Sequence, residues 1–128
     1  MSAIVPPSQW TGRRLAILDV LSFVAQEIAA GRAIEMFLGT GTVQALGAFI
    51  EGVRFTNFCA GFTDCEFQAF MEWLRDEKAE WPSEGWEAKY LRDAQGDHAA
   101  AIRRFLRRAD EFRQSGKFTV SALSPWDA

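Results

Sequence analysis

A chain of 128 residues, 48% of them apolar, with a formal charge of −3, is sized for one domain with a real core, which excludes a disordered chain. The mildly acidic balance argues against recognition of nucleic acid by bulk electrostatics. Two cysteines, Cys59 and Cys65, make no disulfide framework, while 11 Phe and five Trp assign much of the burial to aromatic rings.

The lead, residues 1–12, holds Pro6-Pro7 but no charged stretch followed by a long apolar run, so neither a signal nor a transit peptide is expected there. No apolar run approaches the ~20 residues that span a bilayer. Residues 15–30 are interrupted by Asp19, Gln26 and Glu27. The expected setting is soluble, reducing and cytoplasmic, with no membrane partner.

Residues 13–30 place Leu15, Leu18, Leu21, Val24, Ala25 and Ile28 at helical spacing, with Ile17, Val20 and Phe23 widening the stripe, and Gly31 supplies the stop. Next comes Met36-Phe37-Leu38-Gly39-Thr40-Gly41-Thr42, a glycine-rich turn into a second helix predicted from Val43 to about Phe58. Thr42 is its predicted N-cap, and Val43, Leu46, Ile50 and Val53 form its buried stripe. Gly47 and Gly52 lower its propensity and leave gaps for a close neighbour, so this helix is predicted to be the centre of a bundle.

Thr63-Asp64-Cys65-Glu66 fits a capping box, with Thr63 and Glu66 bonding reciprocally at the start of a third helix. Phe67, Phe70, Met71 and Leu74 face inward; Glu72, Arg75, Asp76 and Lys78 face water, and Pro82 is the predicted stop. Ser83 is the predicted cap of a fourth helix over residues 84–94, with Trp86, Tyr90 and Leu91 as its apolar contribution. Gly96 breaks the pattern, and Asp97 caps a fifth helix. Its buried face is predicted as Ala101, Ile102, Phe105, Leu106, Ala109 and Phe112, its outer face as Arg103, Arg104, Arg107, Arg108 and Glu111, with an Arg107–Glu111 pair. Residues 115–128 form a tail in which Phe118, Val120, Leu123 and Trp126 roughly alternate with polar residues, consistent with extended packing. The fold class is all-α: a single bundle of about five helices over residues 1–128, with an extended C-terminal tail.

The residues suggest no catalytic, cofactor or metal site. His98 has no second histidine to share a metal or a proton relay, and reads as structural. Cys59 and Cys65 sit in no redox or metal-ligand motif, and read as buried small hydrophobes. Gly39-Thr40-Gly41-Thr42 lacks both the Lys-Ser/Thr and the preceding strand of a phosphate loop. Asp76 with Glu77, and Glu84 with Glu87, read as solvated carboxylates rather than an acid/base pair. Charge is unevenly spread: acids are dense over residues 64–87, whereas the fifth helix carries four arginines in a short span. An acidic face of Glu72, Asp76 and Glu80, spaced by four, continued by Glu84 and Glu87, is therefore the predicted contact surface for a basic partner.

Met36-Phe37-Leu38-Gly39, Leu46-x-x-Phe49-Ile50-x-Gly52, Phe67-x-x-Phe70, Trp86 and Phe105-x-x-x-Ala109-Asp110-Glu111-Phe112 together resemble a group of small helical bacterial proteins. That group has a Met-Tyr-Leu-Gly opening and a Phe/Leu-rich last helix, and some members are immunity proteins of toxin systems. The resemblance covers about residues 32–113 and rests on core and turn positions; Val53 stands where the group has an aromatic, and Glu35 where it has a proline. It implies a non-enzymatic immunity protein that binds and neutralises a cognate toxin domain. The alternative from another class is an interaction or adaptor module, or a homodimer, presenting an apolar patch such as residues 118–126; a hydrolase built on Asp and Glu ranks last.

Overall fold

The computed structural model describes residues 4–118, and three of its helices open on side-chain caps, those of Thr42 and Asp97 as predicted and that of Asp64 in place of Thr63. Thr42 Oγ1 accepts from Ala45 N at 3.2 Å, Asp64 Oδ1 from Phe67 N at 2.9 Å, and Asp97 Oδ1 from Ala100 N at 3.1 Å. Among the described residues there are six α-helices: α1 (Ile17–Ala29), α2 (Glu35–Leu38), α3 (Val43–Cys59), α4 (Cys65–Asp76), α5 (Trp86–Asp93) and α6 (His98–Gln114). A 3-10 turn, Ser8–Trp10, precedes them. The all-α bundle is as expected from periodicity; the extra helix is the one-turn α2, closed by Gly39 in the left-handed region at φ 78°.

α3 packs against α1, α2, α5 and α6, as its predicted central place requires, and α6 shares that place, meeting α1, α3, α4 and α5. Its buried face is Ala101, Ile102, Phe105, Leu106, Ala109 and Phe112, as the 3.6-residue period predicts. Phe105 stacks on Trp86 at 3.8 Å between centroids and meets Phe70 edge-on at 5.5 Å, while Phe112 lies 5.4 Å from Trp73. Phe49 is half-buried against the cluster that Ile50, Phe67, Phe70, Leu74, Phe105 and Phe112 share.

Several boundaries differ from the periodic reading, and each difference has a cause. α1 begins at Ile17, not residue 13, because Ala16 is extended and offers no cap. The missing cap comes from Asp64 in the distant α3–α4 loop, whose Oδ2 accepts from Ile17 N at 2.8 Å. Asn57 then holds the preceding backbone by donating from Nδ2 to the Leu15 carbonyl at 3.2 Å. One carboxylate thus caps two helices, so the box predicted between Thr63 and Glu66 does not form. Glu66 turns inward instead, where Arg113 donates to both its oxygens at 2.8 and 3.1 Å. α4 ends at Asp76, well before Pro82, because Ala79 adopts φ 55° and lets Glu80 N reach the Leu74 carbonyl at 2.8 Å. α5 starts at Trp86 with Gly85, not Ser83, before it. Of the two glycines in α3, Gly47 is a close approach: the Glu87 carboxylate lies over it, whereas Gly52 faces open space.

Phe118 is half-buried against the core. The rest of the predicted tail, residues 119–128, lies outside the described residues, as do residues 1–3. Among the described residues no helix is long and apolar enough to cross a membrane.

Candidate binding surface

The five carboxylates predicted to share one acidic face are distributed over three environments. Glu72 and Asp76 are exposed on α4, with Gln68 Nε2 donating to Glu72 at 3.4 Å and Arg75 forked onto Asp76 at 2.8 and 3.0 Å. Glu84 is exposed and ion-paired with Arg92 at 2.6 Å. Glu87 is half-buried, folded over Gly47 and against Gly85.

Glu80 corrects the predicted geometry. It is only 4% exposed, because the turn through Ala79 swings its side chain under α6 instead of continuing the α4 stripe. Tyr90 Oη donates to its Oε1 at 2.6 Å, Arg108 Nε to Oε1 at 3.0 Å, and Arg104 Nη2 and Arg108 Nη2 to Oε2 at 2.6 and 2.9 Å. Burial by itself pushes the Glu80 carboxyl up; hydrogen bonds from Arg108, Tyr90 and Arg104 overcome it and hold the group at about 2. Burial, and then the hydrogen bond to Glu80, push the Tyr90 phenol up in turn. Arg104 also lies over the Tyr90 ring at 4.2 Å and bonds Asp93 at 2.8 Å.

A buried carboxylate with a shifted pKa is a common mark of a functional site. Here the group is spent on structure. Among the described residues every buried side-chain nitrogen and oxygen has a hydrogen-bond partner, and the Glu80 carboxylate joins the α4–α5 loop to α5 and α6. The predicted outer face of α6 is corrected with it: Arg104 and Arg108 point to Glu80, and the pair formed one turn on is Arg108–Glu111 at 2.7 Å, not Arg107–Glu111.

His98 has a structural contact, as read from its isolation: its Nδ1 accepts from Val43 N at 3.1 Å and so caps α3 from the start of α6. Cys59 and Cys65 are exposed free thiols, not buried hydrophobes. Among the described residues no group of three or more His, Cys, Asp or Glu is placed to hold a metal.

The surface that periodicity overlooked is on α3. Phe55 and Phe58 are 69% and 74% exposed, one turn apart, beside the open face of Gly52. The signal was present in the sequence: the buried stripe 43–46–50–53 continues to Asn57, which leaves Phe55 and Phe58 on another side of the helix. Both rings line a groove of about 300 Å³ between α3 and α4, together with Glu51, Arg54 and Gln68. Gln68 is also the residue that bonds Glu72. Through Gln68 the aromatic groove borders Glu72, and Asp76 lies one turn further along α4, where both carboxylates line a second depression with Trp73, Phe112 and Lys117. Comparison with protein-family models, curated proteins and solved structures gives no match.

Proposed function

We propose that this protein is a non-enzymatic binding protein of the immunity type, which neutralises a cognate bacterial toxin domain by seating Phe55 and Phe58 against it. The observation that carries the reading is the exposure of those two rings on α3. Rings of this size, about 70% exposed, present on the order of 250 Å² of apolar surface. Covering it is worth on the order of 6 kcal/mol before the costs of association are subtracted. Interface energy concentrates in a few such aromatic anchors, and the surrounding polar rim steers approach. Glu72 and Asp76 supply that rim on the α4 side, and they suit a partner with a basic surface; Glu80, buried beneath arginines, has no part in the contact.

The immunity role within this class of binding proteins is supported by the resemblance of the Met36–Gly39 turn and the α3, α4 and α6 core positions to the helical group described above. The adaptor reading uses the same aromatic surface and differs in the partner. Co-purification with the product of the adjacent gene, followed by titration, separates them. The Phe55→Ala, Phe58→Ala double variant keeps its fold and binds at least ~100-fold more weakly, since anchors of this kind cost about 2 kcal/mol or more each. Glu72→Gln with Asp76→Asn slows association mainly at low salt. Parental affinity in the double Phe variant would remove the α3 surface from the site, and a complex that leaves the partner's toxicity intact would favour the adaptor.

A further inference from the structure

A second surface, on the opposite pairing of helices, has a different chemistry. α1 and α6 pack against each other and leave a groove of about 550 Å³ along their outer seam. Its floor is apolar, with Leu18 and Ile28 from α1 and Leu106 from α6, and its walls are low where Ser22, Ala25 and Ala109 stand. The lining runs from Leu18 to Ala29 on one helix and from Arg103 to Arg113 on the other. At 1.5 Å per residue that is about 15 Å, or three helical turns.

Charge on the rim is lopsided. Arg113 is committed to Glu66 and Asp19, while Asp110 accepts from the neutral Gln114 at 2.8 Å and keeps one negative charge at the far end of the α6 rim. Arg103 and Arg107, one turn apart on the α6 rim, are exposed and have no hydrogen-bond or ion-pair partner among the described residues. The α1 rim opposite them is neutral, made of Ser22, Gln26 and Ala29. Arg103 and Arg107, spaced by four, repel each other slightly, and a pair of carboxylates laid against them would relieve that repulsion.

We infer that this groove is a docking site for an amphipathic helix of a partner protein, one that lays an apolar stripe into the trough and places carboxylates four residues apart against Arg103 and Arg107. The length matches three turns of helix, the small residues on the walls allow its backbone to approach closely, and the guanidinium pair sets its polarity through forked hydrogen bonds to the carboxylates. This inference is independent of the α3 surface and stands or falls without it.

The probe is a synthetic peptide of 14 residues built from Ala, Leu and Glu, its leucines at helical spacing and two of its glutamates four apart beside them, with a control in which those two glutamates are lysines. Titration into the full chain is followed by methyl NMR. The glutamate peptide binds saturably, shifts the methyls of Ala25, Leu106 and Ala109, and loses at least ~10-fold in affinity against Arg103→Gln, Arg107→Gln protein, whose exposed positions leave the fold unchanged. Equal binding of the lysine peptide, or binding that leaves those three methyls unmoved, would overturn the inference; so would the absence of saturable binding.

Discussion

Replacing Glu80 by Gln keeps the size of the side chain and removes its charge, so it isolates what the carboxylate contributes. Two independent routes give the magnitude. An ordinary Glu carboxyl at 4.5 is held at about 2 in the folded protein, and at about 1.4 kcal/mol per unit of pH this difference amounts to roughly 3 kcal/mol. Breaking a buried ion pair by removing one partner costs about 3–5 kcal/mol. The lower end applies here, because Arg104 keeps Asp93, Arg108 keeps Glu111, and both guanidiniums are about a quarter exposed. Out of the roughly 5–15 kcal/mol that holds a domain folded, a loss of about 3 kcal/mol lowers the melting temperature by roughly 10 °C. The sign with pH follows from a depressed carboxyl. Its stabilisation is complete above pH 4.5 and fades as pH falls toward 2, where half of the folded carboxyls are protonated; below that pH the parent carries a neutral group as the variant does. Urea unfolding followed by tryptophan fluorescence at a series of pH values reads both quantities. A Glu80→Gln protein within about 1 kcal/mol of the parent at pH 7, or a difference that stays constant down to pH 2, would show that the arginine cluster does not hold the α4–α5 loop to α6 in this way.

Three further outcomes follow from the packing and the caps. Phe105→Ala removes a ring fully enclosed by Trp86, Tyr90 and Phe70 and costs about 3–5 kcal/mol; a variant with parental thermal stability by far-UV circular dichroism would contradict the bundle core. Asp64→Ala removes the caps of both α1 and α4 and costs roughly 2 kcal/mol, while Asp64→Ser, able to cap α4 alone, recovers about half. Full recovery by Ser would mean that the bond from Ile17 N contributes nothing. Cys59 and Cys65 both react with a thiol reagent in the folded protein, as their exposure requires; fewer than two thiols titrated without denaturant would place one of them inside.

The contacts that set helix starts and loop paths divide into two kinds. Thr42 with Ala45, Asp97 with Ala100 and the six inward positions of α6 are three- and four-residue relations, so they are written in local order and the sequence alone determined them. The exposed rings on α3 belong to this kind as well, since the phase of the stripe at Asn57 already puts Phe55 and Phe58 elsewhere. Asp64 with Ile17, separated by 47 residues, His98 with Val43, separated by 55, and Arg113 with Glu66, separated by 47, are of the other kind. A cap supplied from another element leaves no periodic trace, and Ala16 and Gly85 before their helices show none. Glu80 is the clearest case: four-residue spacing put it on a solvated face with Glu72 and Asp76, but Ala79 in the left-handed region turns the chain, and two arginines 24 and 28 residues further on stabilise the carboxylate inside. Local spacing determined which residues share a helix face; where a carboxylate ends up was decided by the tertiary structure, because burying its charge costs more than any propensity and is offset only by partners that folding brings from afar.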